Sequence, residues 1–285
     1  MNKKQIAVAV AVVAIMGYLY SLPIKGLVKA NQSSHDTAPA AAQTAARPAS
    51  TVTVEAVSAP AKTAIGPQLT VKIEGLENQL KKASGDAEKL SLNKQLAAAW
   101  DDVDQPAPAA FYYTAVAKSN NSFDAWLTAG NRYNDAFKIT QDTALTPAFI
   151  TGAVEAFTNA LKLKPQSLDA KTGLGVADVN GGASPMQGIG LLREVIAQDP
   201  ENVNANLNLG LFSMKSGQFD KAIERFKTVI AKKPDFESYF YLAETYKQLG
   251  RKPEAIAAYE KCKQMMPNPV FGQRIDQYIK ELKNN

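Results

Sequence analysis

Pro165, Pro200, Pro234 and Pro267 stand 35, 34 and 33 residues apart. A fixed period near 34 residues constrains this chain more than any other feature. A unit of that length holds two helices and cannot bury its apolar face alone, so successive units must stack on one another. The residues between the prolines agree with this reading. After Val203 a helical stretch contains Leu209-Gly210, a place for close helix approach, and Gly217 breaks it. A second stretch carries Ala222, Phe226 and Val229 on one face and ends at Pro234. The next unit repeats the scheme. Tyr239, Leu242, Ala243 and Tyr246 precede a turn at Gly250, and Ala255, Tyr259 and Cys262 precede Pro267.

These two units resemble the tetratricopeptide repeat family, whose order of aromatic, Leu, small, Tyr, Gly, Ala, aromatic, small and Pro they follow. Small residues such as Gly210, Ala243, Ala222 and Ala255 let paired helices dock, and Phe226 and Tyr259 fill the space left. Earlier units are more diverged. Trp126, Ala129-Gly130 and Tyr133 pair with Ala153, Phe157, Ala160 and Pro165 across an insertion near residues 138–147, which should lengthen the helices or form a protruding loop. Gly175, Val179, Gly188, Leu192 and Val195 lead to Pro200 through a loose Asn180–Pro185 turn. Leu92, Leu96, Ala97 and Trp100 pair with Ala109, Tyr113 and Val116. The expectation is an all-α chain with five repeats, over about 90–122, 123–168, 169–202, 203–235 and 236–269. The resemblance implies a right-handed superhelical array. Its open ends need caps. Leu69, Ile73, Leu76 and Leu80 predict one over 67–83, and Phe271, Ile275, Tyr278, Ile279 and Leu282 another over 270–283. Residues 67–285 then form the repeat domain.

The N-terminal part is different chemistry. Gln5 to Ile24 carries no charge and lies between Lys3/Lys4 and Lys25/Lys29. About 20 helical residues cross a bilayer core, so residues 1–29 read as a membrane anchor with a transmembrane helix at about 5–24 in contact with lipid. The flanking lysines favour a cytoplasmic N-terminus and a periplasmic repeat domain in an inner membrane, single-pass. The alternative is a signal peptide cleaved after Val28-Lys29-Ala30, releasing the chain to the periplasm. Residues 30–66 are rich in Ala, Pro and Thr and read as a disordered linker, because they hold too little large apolar surface to offset chain entropy.

The resemblance implies that first helices line a groove that binds a peptide or a partner subunit. Candidates for that surface are Asp124, Leu127, Asn131, Asn134 and Lys171, then Asn204, Asn208 and Leu211, and then Glu237, Phe240, Glu244 and Lys247. Asn amides offer donor and acceptor together and suit peptide backbone, or serve simply as solvated polar groups. Leu127 and Glu237 stand where a carboxylate clamp would need cations. The expected function is a membrane-tethered interaction scaffold in envelope complex assembly. The alternative is a structural subunit that self-associates through its convex face or the 138–147 insertion.

Catalysis fails on inventory. His35, the sole imidazole, lies in the linker, so histidine triads and HExxH metal sites are absent. No cofactor, metal or small-molecule substrate is expected. Asp101, Asp102 and Asp104 are read as a solvated helix terminus rather than a cation site, and the lone Cys262 as buried and inert. The net charge of +5 is spread among interspersed acids after residue 70, which excludes a nucleic-acid stripe. Asp36-Thr37-Ala38 and Asp142-Thr143-Ala144 resemble the O-glycan acceptor of some Bacteroidetes envelope proteins; read otherwise, they are plain loop sequence.

Overall fold

The computed structural model describes residues 52–181, 184–265 and 268–284. The expected transmembrane helix at 5–24 lies outside them, as do Thr37 and Pro267. Among the described residues no helix is long and apolar enough to cross a membrane. There are thirteen helices and no strand among these residues. They are α1 (Val54–Ile65), α2 (Pro67–Lys82), α3 (Asp86–Asp101), α4 (Pro106–Asn120), α5 (Phe123–Ile139), α6 (Thr146–Leu163) and α7 (Leu168–Gly181). They continue with α8 (Pro185–Gln198), α9 (Val203–Lys215), α10 (Phe219–Lys232), α11 (Phe236–Gln248), α12 (Lys252–Met265) and α13 (Pro269–Asn284).

From α3 to α12 the helices pair in order, and each second helix also packs on the first helix of the next pair. Local chemistry sets the period. Ser122, Ser167, Asn202 and Asp235 each accept the backbone N–H three residues on, at 3.3, 3.2, 3.0 and 2.8 Å, and so cap the first turns of α5, α7, α9 and α11. The second helices end just before proline. Lys164, Asp199 and Lys233 adopt φ of −136°, −133° and −144° with ψ of 86–88°, because proline excludes the helical conformation from the residue before it. Within the last two pairs the turn is the same Schellman arrangement. Gly217 (φ 73°) and Gly250 (φ 70°) take the left-handed position. Gln218 N–H donates to the Ser213 carbonyl at 2.8 Å, and Arg251 N–H to that of Tyr246 at 2.9 Å.

Packing joins the units. Phe157 is fully buried and its ring fills the space that Gly130 and Gly173 leave open on α5 and α7. Phe226 does the same against Gly210. The pair α7/α8 differs: Gly175 and Gly188 bring two helix backbones together without an aromatic wedge. The 138–147 insertion goes mostly into helix length. The helices α5 and α6 have 17 and 18 residues, against 13 and 14 in α9 and α10, and residues 140–145 join them. The turn after α7 is shorter than the sequence suggests, since α7 runs through Asn180 and Gly181.

The segment read as linker needs a correction. Residues 54–65 form α1, which packs on α2 and α4. Val54, Val57, Ala61 and Ile65 recur at spacings of 3, 4 and 4, and Val57 and Ala61 are buried. Lys62 pairs with Glu77 of α2. Pro60 inside α1 removes one intrahelical donor, a cost that docking offsets. Each apolar residue is modest alone, so composition conceals the stripe.

At the ends, Ile73 is buried on the inner face of α2 with Leu76 and Leu80 beside it, while Leu69 is half-exposed. Ile275, Ile279 and Leu282 seal α13 onto the last pair. Cys262 is buried, donates to the Phe236 carbonyl at 3.2 Å, and burial pushes its thiol up to about 11.

Candidate partner-binding groove

The first helices α9 and α11, the start of α10 and the terminal helix α13 enclose a groove of about 500 Å³. Phe240, Tyr241, Tyr278, Met214 and Phe219 line it, with Lys215, Glu244, Lys247 and Gln248 completing the lining. Phe240 stands at the centre of an aromatic cluster. Its ring centroid lies 6.0 Å from Tyr241, 6.1 Å from Tyr259 and 6.3 Å from Tyr278, in tilted or edge-on arrangements that aromatic quadrupoles favour. Tyr241 stacks on Phe226 of the preceding unit at 5.8 Å. The floor is therefore built across two repeats and the cap, and is held from behind.

The polar groups are held by one another. Tyr259 donates its hydroxyl to Glu244, and burial together with that carboxylate raises the phenol well above its ordinary range. Lys247 lies 3.8 Å from the same carboxylate and 5.3 Å above the ring of Tyr278. The groove thus offers an apolar floor with cationic groups beside it.

Of the residues expected in a groove, the structure brings Phe240, Glu244 and Lys247 together here. Glu237 is exposed one turn away, and burial, then the Glu237 carboxylate, raises the Tyr241 phenol above its ordinary value. Asn204 is exposed and Asn208 half-buried, and the Asn208 amide donates to the Asn204 carbonyl at 2.8 Å. Asn131 and Asp124 are exposed on α5, and Leu127 and Leu211 are partly buried. Two candidates are engaged in structure instead. Asn134 donates its amide to the Gly173 carbonyl at 3.0 Å, tying α5 to α7. Lys171 is buried and pairs with Glu194 of α8, with Gln166 also accepting at 3.4 Å. Helix stacking buries Lys171, which therefore does not stand on an open surface, whereas Asn134 stays partly exposed with its amide engaged. The groove residues that sequence reasoning missed are Met214, Lys215, Phe219, Tyr241, Gln248 and Tyr278. Tyr278 read as a cap residue; the excess of aromatic side chains over what a cap needs was the available signal.

A second hollow, about 330 Å³, lies at the base of α5 among Asp101, Asp104, Arg132, Asp135 and Lys138. Arg132 donates to Asp101 at 2.7 Å and to Asp135 at 3.1 Å, and Tyr113 donates to Asp101 at 2.8 Å. Burial, then the Asp101 carboxylate, pushes the Tyr113 phenol up to about 12. The network ties α3, α4 and α5 and leaves Asp101 occupied. Among the described residues no group of three ligating side chains could hold a metal ion.

Comparison with known proteins agrees with this architecture. Residues 187–242 match one model described as a tetratricopeptide repeat, and residues 236–269 match another. Similar solved structures include a tetratricopeptide protein of Thermus thermophilus, 20% identical with a TM-score of 0.52, covering 70% of this chain and all (100%) of that one. A tetratricopeptide repeat protein from Parabacteroides merdae is 14% identical with a TM-score of 0.54, covering 81% of this chain and 83% of that one. PilW, described as a widely conserved type IV pilus biogenesis factor, is 22% identical with a TM-score of 0.52, covering 68% of this chain and 90% of that one. At such identities the likeness is one of fold. No curated protein sequence matches the chain significantly.

Proposed function

We propose, from the premise that this is a tetratricopeptide-repeat protein, that it works as a non-enzymatic scaffold holding a segment of a partner protein in the groove between α9, α11 and α13. Tetratricopeptide proteins bind protein or peptide partners. The observation that carries the reading here is the Phe240-centred aromatic floor, continuous across two repeats and still open to solvent on one side. An aromatic cluster of that size, partly uncovered, is a recognised anchor site for a partner side chain.

The test is a photo-reactive residue at Gln248, an exposed rim position, in the full chain and in the native cells. The expected outcome is a crosslink to a different protein that is lost when Phe240→Ala is added. Crosslinks only between copies of this chain would overturn the scaffold reading in favour of a self-associating subunit.

The uncharged run at 5–24 serves in this reading as a tether, and residues 30–53 as the spacer that lets the array reach its partner. About 24 extended residues span roughly 80 Å. Its role would be in assembling envelope complexes on the periplasmic side. Protease added to spheroplasts should then digest the array while the membrane fraction keeps the N-terminal fragment. Digestion only in inside-out vesicles would reverse the orientation, and recovery of the intact array without membranes would remove the tether.

A further inference from the structure

We infer that the groove selects a segment whose large apolar side chain is flanked by carboxylates, an inference that rests on the groove being the partner site. The apolar half of the requirement comes from the floor. Phe240, Tyr278 and Phe219 present ring surface, and Met214 adds an unbranched thioether that adapts to the shape of what enters. A Trp, Phe, Leu or Met side chain meets ring edges and faces there at ordinary packing distances.

The acidic half comes from charge left over at the rim. Two ammonium groups, Lys215 and Lys247, and one carboxylate, Glu244, line the groove. One oxygen of Glu244 accepts from the Tyr259 hydroxyl and faces Lys247 at 3.8 Å. Lys247 is held over the Tyr278 ring, so its ammonium stays beside the apolar floor. Lys215 is exposed, and its ammonium has no hydrogen-bond or ion-pair partner among the described residues. An entering carboxylate meets one free cation and one that it can share with Glu244. An entering cation meets two ammonium groups against the single Glu244 carboxylate, so the lining carries a net positive charge. Charge complementarity of this kind discriminates partners more than it adds affinity.

The experiment is selection of a random-peptide phage library on the full-length chain in detergent, followed by titration of the selected peptides. The expected result is a consensus of one large apolar residue with Asp or Glu within two positions. Binding should weaken about tenfold in Lys215→Glu/Lys247→Glu, as the loss of two rim ion pairs of about 0.7 kcal/mol each would give, and added salt should weaken binding to the parent chain. Selected peptides that are neutral or basic, yet lost in Phe240→Ala, would overturn the acidic preference and leave the groove standing. Peptides that bind Phe240→Ala undiminished, or no selected peptide at all, would overturn the groove itself. Gln248→Trp, which blocks the rim without touching the floor, replaces Phe240→Ala if that variant fails to fold.

Discussion

Phe157→Ala is expected to cost about 3–5 kcal/mol of stability, the range for removing a fully buried phenylalanine. The ring is 0% exposed. Beta carbons built on Gly130 and Gly173 would fall 2.8 and 2.2 Å from it, so it occupies the volume that both glycines vacate. One side chain therefore couples the pair α5/α6 to α7, the first helix of the next unit. Truncation leaves a hollow that three helix backbones border, and backbones collapse into a void poorly. Domains of this size are stable by only about 5–15 kcal/mol, so the loss is a large fraction. Repeat arrays draw stability from the contacts between neighbours. The urea transition followed by circular dichroism should accordingly shift to lower denaturant and broaden as the N-terminal and C-terminal units uncouple. A loss under about 1 kcal/mol, outside the range for such truncations, would mean that the interface does not depend on this ring.

Gly188→Ala and Gly190→Ala should move stability in opposite directions although both lie in α8. Helix propensity alone favours Ala over Gly by up to about 1 kcal/mol at either site. At Gly190 nothing lies within 4 Å of the added methyl, so that gain should appear. At Gly188 the methyl would sit 2.5 Å from the Gly175 carbonyl oxygen and 2.9 Å from the Val179 backbone nitrogen. Backbone atoms of a helix cannot rotate aside, so α7 and α8 must separate, and overpacking of this kind costs about 1–3 kcal/mol. Thermal unfolding of the two variants beside the parent chain reads the signs directly. Stabilisation by both would show that α7 and α8 do not meet backbone to backbone.

The repeat period was legible because its causes are local. Proline forbids helix at the residue before it, as Lys164, Asp199 and Lys233 show. Gly217 and Gly250 take a conformation that other residues resist. The side chains of Ser122, Asn202 and Asp235 satisfy amides three residues away. Such signals survive in the primary structure. The helix at 54–65 was hidden because Val57 and Ala61 carry little apolar surface each, and their value lies in the ready-made surface of α2 and α4 on which they dock.

The groove divides in the same way. Phe240, Glu244 and Lys247 were visible as residues three or four apart on one helix, hence on one face. Nothing local distinguishes Lys171 from Lys247. One is buried against Glu194 and the other stands at a groove rim, because stacking covers the first helix of the third unit and leaves that of the fifth open beneath α13. The sequence by itself determined where most helices of the repeats begin, turn and end, and most of the apolar residues that face inward. Only the tertiary structure decided which polar groups remain free for a partner, since that depends on distances between helices far apart along the chain, as with the Asn134 amide spent on the carbonyl of Gly173.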